Sequence, residues 1–421
     1  MSIFGWLRSL FHRPITRDVS RLDGAGNTAE EVVDVSGGPL KEGHRRRALR
    51  DARLLPKRQL LPFSLRLRTK KYLPADEARR LFSGTLRTRN RQLRDLLPDE
   101  EQLHRHGLPV WRNEDEIAAA LGISLKTLRH FSIHRDAERM VHYTSFAIPK
   151  RSGGERLILA PKRRLKALQR KLLDLLVRQL PVSEHAHGFR VGRSVRTGAE
   201  RHVGRRVLLQ MDLKDFFPSV TFARVRGLLI TLGYGYPVAT TLAVLMTEAQ
   251  RQPVEVEGTV YFVSAGWRHC VQGAPTSPGL CNSIALRLDR RLAGLARCLG
   301  FTYTRYADDF AFSGDDTASV RVLRSIATRI IREEGFEVNP AKTRVARRGS
   351  RQRVTGLVVN DKLGLSRKER RRLRAEIHQL RKQGQRDPRQ LARLRGKLAY
   401  LHMVNPAQAA ALRRLLPSQG G

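Results

Sequence analysis

The chain has few cysteines, few acidic residues and no long apolar run. Its three cysteines, Cys270, Cys281 and Cys298, show no CxxC spacing and no histidines clustered beside them, which argues against a zinc site or a disulfide framework. No stretch approaches the ~20 apolar residues of a membrane-spanning helix, and the short amphipathic start lacks the features of a signal peptide. These absences predict a protein of the reducing cytoplasm with no membrane partner.

The shortage of acidic residues leaves a large excess of positive charge. Against 39 Asp and Glu residues stand 80 Lys and Arg residues, so the formal net charge is +41. Because 41% of the chain is hydrophobic, this charge belongs to a folding sequence and not to a solvated tail. A basic membrane-surface protein usually concentrates its charge on one helix or tail. The composition therefore predicts nucleic acid as the partner.

Composition also divides the chain. Residues 1–110 combine a stretch rich in Gly, Ser and charged residues with basic segments of irregular spacing, which predicts a partly disordered basic extension. From residue 140 onwards, hairpins, buried strands and amphipathic helices alternate irregularly, which predicts an α+β core. The C-terminal residues 356–421 are typical of basic helices.

The segment from Asn113 to Ile133 predicts two short helices joined by a turn. Gly122 suits the turn, and Ser124 suits the cap of the second helix. The same letters occur in helix-turn-helix DNA readers and in pairs of helices that lead into a larger domain. Both interpretations stay open on the sequence alone.

A tandem pair of acids lies in an unusually apolar setting. Residues 301–314, FTYTRYADDFAFSG, are apolar or aromatic at nearly every second position, which predicts a half-buried strand hairpin. Asp308 and Asp309 lie near its turn, where they repel each other and lose solvation. Asp212 ends a second apolar strand, within MDLKDFFPSV. If a sheet joins these segments, three carboxylates converge and require cations to neutralise them.

Hard divalent cations meet that requirement, and Mg²⁺ favours a few carboxylates together with phosphate oxygens. Two such ions ~3.5–4 Å apart stabilise both the attacking and the leaving oxygen of a phosphoryl displacement. With nucleic acid as partner, the acidic set predicts nucleotidyl transfer with two Mg²⁺ ions. The structural alternative is that the tandem acids cap a turn and Asp212 pairs with an arginine.

Several motifs in this order resemble those of reverse transcriptases. YADDF resembles their palm-domain box, MDLKDFFPSV their other metal-binding strand, and QGAPTSPGLCN, Gln272–Asn282, the segment that lines the incoming-nucleotide pocket. Bacterial retron reverse transcriptases are the most similar group, through IPKRSGGER, HGFRVGRSV and VTGLVVN. Their NAxxH box departs here, since residues 198–202 read GAERH. The departure concerns the retron assignment and not the polymerase assignment.

This resemblance implies a right-hand polymerase fold with fingers at 111–200, a palm with a fingers insertion at 201–355 and a helical thumb at 356–421. It also implies an RNA-directed DNA polymerase that copies part of a cognate structured non-coding RNA into branched multicopy single-stranded DNA (msDNA), in bacterial antiviral defence. Deoxynucleoside triphosphates are the implied substrates. A host ribonuclease H and a retron effector protein are the further implied partners.

The resemblance also implies roles for single residues. Asp212, Asp308 and Asp309, with the backbone carbonyl of Leu213, are expected to bind the metal ions. Lys342 is expected near the leaving pyrophosphate as a general acid, with a solvated surface lysine as the alternative.

On the substrate side, Phe217 is expected to act as a steric gate against the ribose 2′-OH, unless it is a core residue. Gln272 and Gly273 are expected to contact the deoxynucleotide. Lys150 and Arg156 are suited to hold its triphosphate, with template phosphates as their alternative. The expected RNA-binding residues are His202, Val354, Thr355 and Gly356.

Other functions remain compatible with the same fold. Intron-type, diversity-generating and abortive-infection polymerases share the palm motifs. A further alternative is a non-catalytic RNA-binding protein with the polymerase fold. Metal-dependent incorporation of deoxynucleotides, with and without an RNA template, separates these functions.

Overall fold

The computed structural model describes residues 97–133, 137–138, 140–149, 155–256, 259–382 and 388–415. Most of the predicted basic extension and Lys150 lie outside these ranges. Helices and strands alternate irregularly along the described chain, which confirms the α+β class. None of the described helices is long and apolar enough to cross a membrane.

The strands are β1 (Ala137–Glu138), β2 (Tyr143–Pro149), β3 (Glu155–Pro161), β4 (Val207–Lys214), β5 (Arg251–Val256), β6 (Thr259–Ser264), β7 (Thr302–Tyr306), β8 (Asp309–Gly314), β9 (Glu337–Val338), β10 (Arg344–Arg347), β11 (Arg353–Val354) and β12 (Leu357–Val358). The α-helices are α1 (Glu100–Arg105), α2 (Glu114–Leu121), α3 (Leu125–Ser132), α4 (Arg163–Leu175), α5 (Val195–Ala199), α6 (Phe216–Ser219), α7 (Phe222–Thr231), α8 (Tyr236–Met246), α9 (Ser277–Ile284), α10 (Leu286–Cys298), α11 (Val320–Glu333), α12 (Arg367–Lys382), α13 (Pro388–Val404) and α14 (Pro406–Arg413). Short 3₁₀ turns occur at Val177–Gln179, Glu200–His202 and Pro340–Lys342.

The chain divides into two compact units. Among the described residues, the smaller unit comprises 137–138, 140–141, 250–256 and 259–266. Its sheet has the strand order β1–β6–β5 and is antiparallel throughout, with Ala137 opposite Val263. All other described residues belong to the larger unit.

An antiparallel sheet forms the centre of the larger unit. Its strand order is β10–β4–β8–β7, and β9 pairs with the C-terminal end of β4, at Leu213 and Lys214. Strand β4 is buried along most of its length because helices and neighbouring strands cover it on both faces. Helix α11 shows why these helices pack on the sheet, since its buried residues Val320, Leu323, Ala327 and Ile330 recur at helical spacing.

The two short helices predicted between Asn113 and Ile133 are present as α2 and α3. The side chain of Ser124 caps α3 by accepting a hydrogen bond from the Thr127 amide, and Gly122 ends α2 with a φ of +63°. Leu121 and Leu128 are fully buried in the main core of the larger unit. This burial supports the packing interpretation of the motif over DNA reading.

The C-terminal helices α12, α13 and α14 have a small apolar core of their own. It contains Leu373 and Ile377 from α12, Leu398 and Leu401 from α13, and Leu412 from α14. A further cluster joins this end of the chain to the central sheet, and its members are Ala199, Leu208, Ala311, Val354, Leu357, Val359 and Val404. The helical C-terminal segment is thus anchored on the face of β4 and β8 that also carries Asp212 and Asp309.

Strands β11 and β12 form a minimal hairpin whose turn is Thr355–Gly356. Val354 pairs with Leu357, so the connection has two residues. Both turn residues have positive φ, +47° at Thr355 and +89° at Gly356, as a type I′ hairpin requires. A β-branched threonine rarely adopts this conformation, so the turn carries backbone strain. The Thr355 hydroxyl donates a 3.3 Å hydrogen bond to the Val195 carbonyl.

Replacing Thr355 by asparagine is expected to raise the free energy of unfolding by a few tenths to about 1 kcal/mol, because asparagine tolerates positive φ better. Urea unfolding of the two proteins measures the difference. Thr355→Val keeps the branch and removes the hydroxyl, so it should be no more stable than the parent. A less stable asparagine variant would show that the hydrogen bond to Val195 outweighs the strain.

Candidate active site

The three predicted metal-binding acids meet at one end of the central sheet. Asp212 on β4 lies directly opposite Asp309 on β8 in the antiparallel register. The Leu213 amide donates a 3.0 Å hydrogen bond to the Asp308 carbonyl, which fixes the hairpin turn against β4. Asp212 is buried, whereas the Asp309 side chain faces the open side of the site. Chain segments almost a hundred residues apart thereby supply one cluster of carboxyl groups.

Lys342 is the counterion of Asp212 in this structure. Its Nζ lies 2.9 Å from each carboxylate oxygen of Asp212. The segment after β9 brings it there, because the Asn339 amide donates a 2.8 Å hydrogen bond to the Asp212 carbonyl. Burial disfavours the charged ammonium group, yet the hydrogen bond and charge of Asp212 outweigh burial and raise the pKa of Lys342. Lys342 thus lies beside the acids, and its expected role as a general acid near the leaving pyrophosphate stays a prediction.

The carboxyl groups of Asp308 and Asp309 repel each other and lose solvation. Although Asp309 is partly open to solvent, desolvation by the surrounding protein, followed by repulsion from Asp308 and Asp212, raises its pKa to about 7. Burial and the charge of Asp212 likewise raise the pKa of Asp308, although Lys342 and Arg156 oppose the shift. A single lysine therefore leaves part of the negative charge without compensation.

A second tandem pair, Asp315 and Asp316, follows the other end of β8 and shows what structural acids look like. Hydrogen bonds from the Arg206 amide and the Arg205 side chain lower the pKa of Asp315. Asp316 accepts hydrogen bonds from the Ser319 side chain and from backbone amides before α11, which lower its pKa. Pairing with arginine and capping of a turn were the alternative roles for the three predicted metal-binding acids. Asp315 and Asp316 have these roles instead. At 308–309 the pKa values move in the opposite direction.

The acidic cluster suits a divalent cation by its chemistry. Carboxylate oxygens are hard ligands, and a cation among them would relieve the repulsion that raises the pKa values of Asp308 and Asp309. Within the described ranges, no three His, Cys, Asp or Glu side chains are already arranged to hold a metal ion. Both oxygens of Asp212 are hydrogen-bonded to Lys342.

A buried ion pair holds the acidic hairpin from behind. The Arg305 guanidinium donates to Asp289 on α10 through Nε at 2.8 Å and Nη2 at 2.7 Å, and both side chains are fully buried. Its Nη1 donates to the Asn282 side chain at 2.9 Å and to the Ala307 carbonyl at 3.1 Å. Ala307 has a φ of +56°. Arg305 therefore braces the left-handed residue that immediately precedes the tandem acids.

The structure describes four of the expected substrate-side residues: Arg156, Phe217, Gln272 and Gly273. Phe216 is buried and Phe217 is half-buried, so Phe217 is the ring of the pair that reaches the surface. Gln272 is half-buried, and its carbonyl accepts a 2.9 Å hydrogen bond from the Leu159 amide on β3. A Cβ on Gly273 would lie 2.7 Å from the Leu159 carbonyl oxygen, so this glycine permits a close contact between two backbones.

Two of the expected RNA-binding residues have buried side chains. His202 is fully buried, and its ring nitrogens lie 2.7 Å from the hydroxyl oxygens of Ser313 and Thr304. The Val354 side chain is 2% exposed and belongs to the apolar cluster that joins the C-terminal helices to the sheet. Neither side chain is presented to a ligand, because each stabilises the strands that carry the acids. Gly356 is exposed and Thr355 is half-buried at the hairpin turn.

Comparison with known proteins decides the family. The reverse transcriptase (RNA-dependent DNA polymerase) family matches over residues 148–372. Retron Mx65 reverse transcriptase from Myxococcus xanthus is 62% identical over 98% of this chain and 97% of its own length. The chain belongs to the bacterial retron reverse transcriptases. Retron Mx162 reverse transcriptase from the same organism is 46% identical over 75% of this chain and 69% of its own. Retron Ec86 reverse transcriptase from Escherichia coli is 33% identical over 66% of this chain and 81% of its own length.

Membership confirms the RNA-directed DNA polymerase activity implied by the motifs. Members of this family use divalent metal ions, in agreement with the acidic cluster of this reverse transcriptase. Sequence reasoning missed the bracing residues Arg305 and Asp289. A signal was present, because an arginine inside the apolar strand pattern FTYTRY needs a buried partner.

Replacing Arg305 by methionine is expected to lower the free energy of unfolding by ~3–5 kcal/mol, because Asp289 would remain buried without a partner. Polymerase activity per folded molecule should fall as well, since the Ala307 carbonyl loses its donor. Arg268→Met is the matched control, because Arg268 forms another buried ion pair, with Glu248. That control should lose stability but keep activity per folded molecule. Equal activity loss in the two variants would contradict a bracing role.

The buried imidazole of His202 predicts a dependence of stability on pH. Burial, aided by the charges of His187, Arg201 and Arg205, lowers the pKa of His202 from 6.5 to about 3. Between these values the unfolded chain binds a proton that the folded chain does not, so stability falls as the pH falls below about 6.5.

His202→Asn should therefore flatten the stability profile between pH 6.5 and pH 4. At pH 7 the variant should be less stable by ~1–3 kcal/mol, because a buried hydroxyl loses its partner. His187, whose pKa burial lowers to about 4, keeps a share of the slope in both proteins. Urea unfolding at several pH values measures the effect, and an unchanged slope would contradict it.

Proposed function

We propose that this reverse transcriptase copies part of a cognate structured non-coding RNA into branched msDNA, with two Mg²⁺ ions held by Asp212, Asp308, Asp309 and the Leu213 carbonyl. The observation that carries the proposal is the register of β4 and β8, which sets Asp212 opposite Asp309. When bound, the ions supply a Lewis acid for phosphoryl transfer and a countercharge for the acids. The names of the relatives support the RNA template and the DNA product.

Lys342 has two tasks in this proposal. In the protein alone it neutralises Asp212 through a two-oxygen ion pair. In the reaction its ammonium is proposed to donate a proton to the leaving pyrophosphate, a role that its position beside the acids supports. Its raised pKa keeps the lysine protonated at neutral pH, as a proton donor must be.

The substrate-side residues are proposed to orient the incoming deoxynucleotide. Arg156 on β3 is exposed and acts electrostatically on Asp308, which supports the proposal that it holds the triphosphate near the acids. Lys150 is proposed to act with it. Gln272 and Gly273, on the segment whose backbone contacts β3, are proposed to contact the nucleotide. Phe217 is proposed to exclude the ribose 2′-OH.

The C-terminal helices are proposed to grip the nucleic-acid duplex as a thumb. On α12 the apolar face is buried, and six of the described cations are exposed: Arg367, Lys368, Arg371, Arg372, Arg374 and Lys382. Such a strip suits sequence-independent contact with phosphates. The exposed turn Thr355–Gly356 is proposed to contact the stem-loop of the cognate RNA.

Further partners follow from the proposed product. Removal of copied template requires a ribonuclease H, which we propose the host supplies. The proposed location is the bacterial cytoplasm. A retron effector protein and a role in antiviral defence are proposed as the context of the reaction.

Asp309→Asn is expected to lower deoxynucleotide incorporation on an RNA template by ~10²-fold or more, because a metal ligand and its charge are lost. Asp315→Asn is the matched control, since Asp315 stands in the second tandem pair of the same strand region. The control should keep full activity. Primer extension with an RNA template, measured over a Mg²⁺ titration, provides the rates.

The same assay tests the alternatives to the proposal. Incorporation without any template would indicate an abortive-infection type of polymerase. Full RNA binding without incorporation in the parent protein would indicate a non-catalytic binder. Sequencing of nucleic acid that co-purifies with the protein tests the retron product, for which a DNA joined to RNA through a 2′,5′ linkage is the expected result.

A further inference from the structure

Phe189 combines an unfavourable backbone conformation with an exposed aromatic ring. Its φ is +57°, a left-handed conformation in which a bulky aromatic residue is an outlier. Its side chain is 55% exposed. Backbone strain and an exposed apolar ring both oppose folding, and strain of this kind clusters at functional sites.

The backbone at Phe189 is held by two other motifs. A Cβ on the preceding Gly188 would lie 2.9 Å from the Ala307 amide nitrogen, so this backbone rests on the turn of the acidic hairpin. The Gly188 carbonyl accepts a 2.8 Å hydrogen bond from the Asn282 side chain on α9. Asn282 is in turn bound by Arg305. The position of Phe189 is therefore set by the hairpin and by the segment that follows Gln272.

The Phe189 ring connects Phe217 with the acidic hairpin. Its centroid lies 6.5 Å from that of Phe217, with the ring planes at 64°, and 6.2 Å from that of Tyr306. Edge-to-face rings at such distances attract each other. Phe217 contacts the buried Phe216 ring on another side, with centroids 5.7 Å apart. Phe217 is thus held between a core ring and an exposed ring.

We propose that Phe189 is a positioning residue for sugar selection, which holds the Phe217 ring where it meets the 2′-OH of an incoming ribonucleoside triphosphate. The inference rests on the proposed gate role of Phe217. A steric gate excludes an atom only if the ring cannot turn aside, and a half-buried ring needs a neighbour on its open side for that purpose. Phe189 is that neighbour, and its clamped backbone keeps it in place.

The test is a double-mutant cycle of Phe189→Ala, Phe217→Ala and the double variant. The kcat/KM ratio for a deoxynucleotide over the matching ribonucleotide is measured by single-nucleotide extension. Phe217→Ala should lower the ratio about tenfold or more, the size expected for steric discrimination in a pocket. Phe189→Ala should lower it severalfold while deoxynucleotide incorporation is kept. The double variant should match Phe217→Ala alone, since coupled residues are not additive.

Matched variants separate positioning from general damage. Val191→Ala removes another exposed apolar side chain from the same loop and should leave the ratio unchanged. Phe189→Leu keeps apolar bulk without the ring and should recover part of the ratio. The melting temperature should change little in the Phe189 and Val191 variants, because both of these side chains are exposed.

Each contrary result has a distinct meaning. An unchanged ratio in Phe217→Ala would refute the proposed gate, and the inference with it. A reduced ratio in Phe217→Ala but not in Phe189→Ala would refute the inference alone. Equal losses for both nucleotides in Phe189→Ala would identify a base-stacking contact and overturn the proposal, as would additive effects in the double variant.

Discussion

The antiparallel pairing of β4 with β8 is the constraint on which the rest of the site depends. It sets Asp212 opposite Asp309, while Val207 at the other end lies opposite Gly314. A slip of one residue would turn every side chain of a strand to the opposite face and separate the carboxyl groups. Burial of β4 on both faces opposes such a slip, because apolar side chains would lose their contacts. The register of an apolar strand thus determines the position of charged groups.

Polar groups inside the protein define the geometry of this end of the sheet. Arg305 joins α9, α10 and the turn residue Ala307 through bonds of 2.7 to 3.1 Å. His202 joins β7 and β8 through the hydroxyl groups of Thr304 and Ser313. Fully satisfied networks of this kind specify one arrangement, since any displacement leaves a buried polar group without a partner. Apolar packing alone would tolerate small shifts of the hairpin.

Much of this site was predictable because its signals are local. The alternating pattern around Asp308 and the apolar strand before Asp212 indicated two strands, and the motif order indicated the family that the comparisons confirmed. The role of His202 was not predictable, because a histidine in a polar stretch gives no sign of burial. The partner of Arg305 was equally hidden, since Asp289 lies in a basic helix whose sequence marks no buried acid. Such long-range pairings exist only after folding.

The contact between Gly273 and Leu159 has a mechanical consequence. The Leu159 amide bonds to the Gln272 carbonyl at 2.9 Å, and the missing Cβ of Gly273 lets the two backbones touch. Strands β2 and β3 are therefore coupled to the Gln272 segment without a compressible layer of side chains between them. A displacement of this hairpin would therefore be transmitted to Gln272 through the shared backbone contact, which links the proposed triphosphate contact at Arg156 to the proposed nucleotide contact at Gln272.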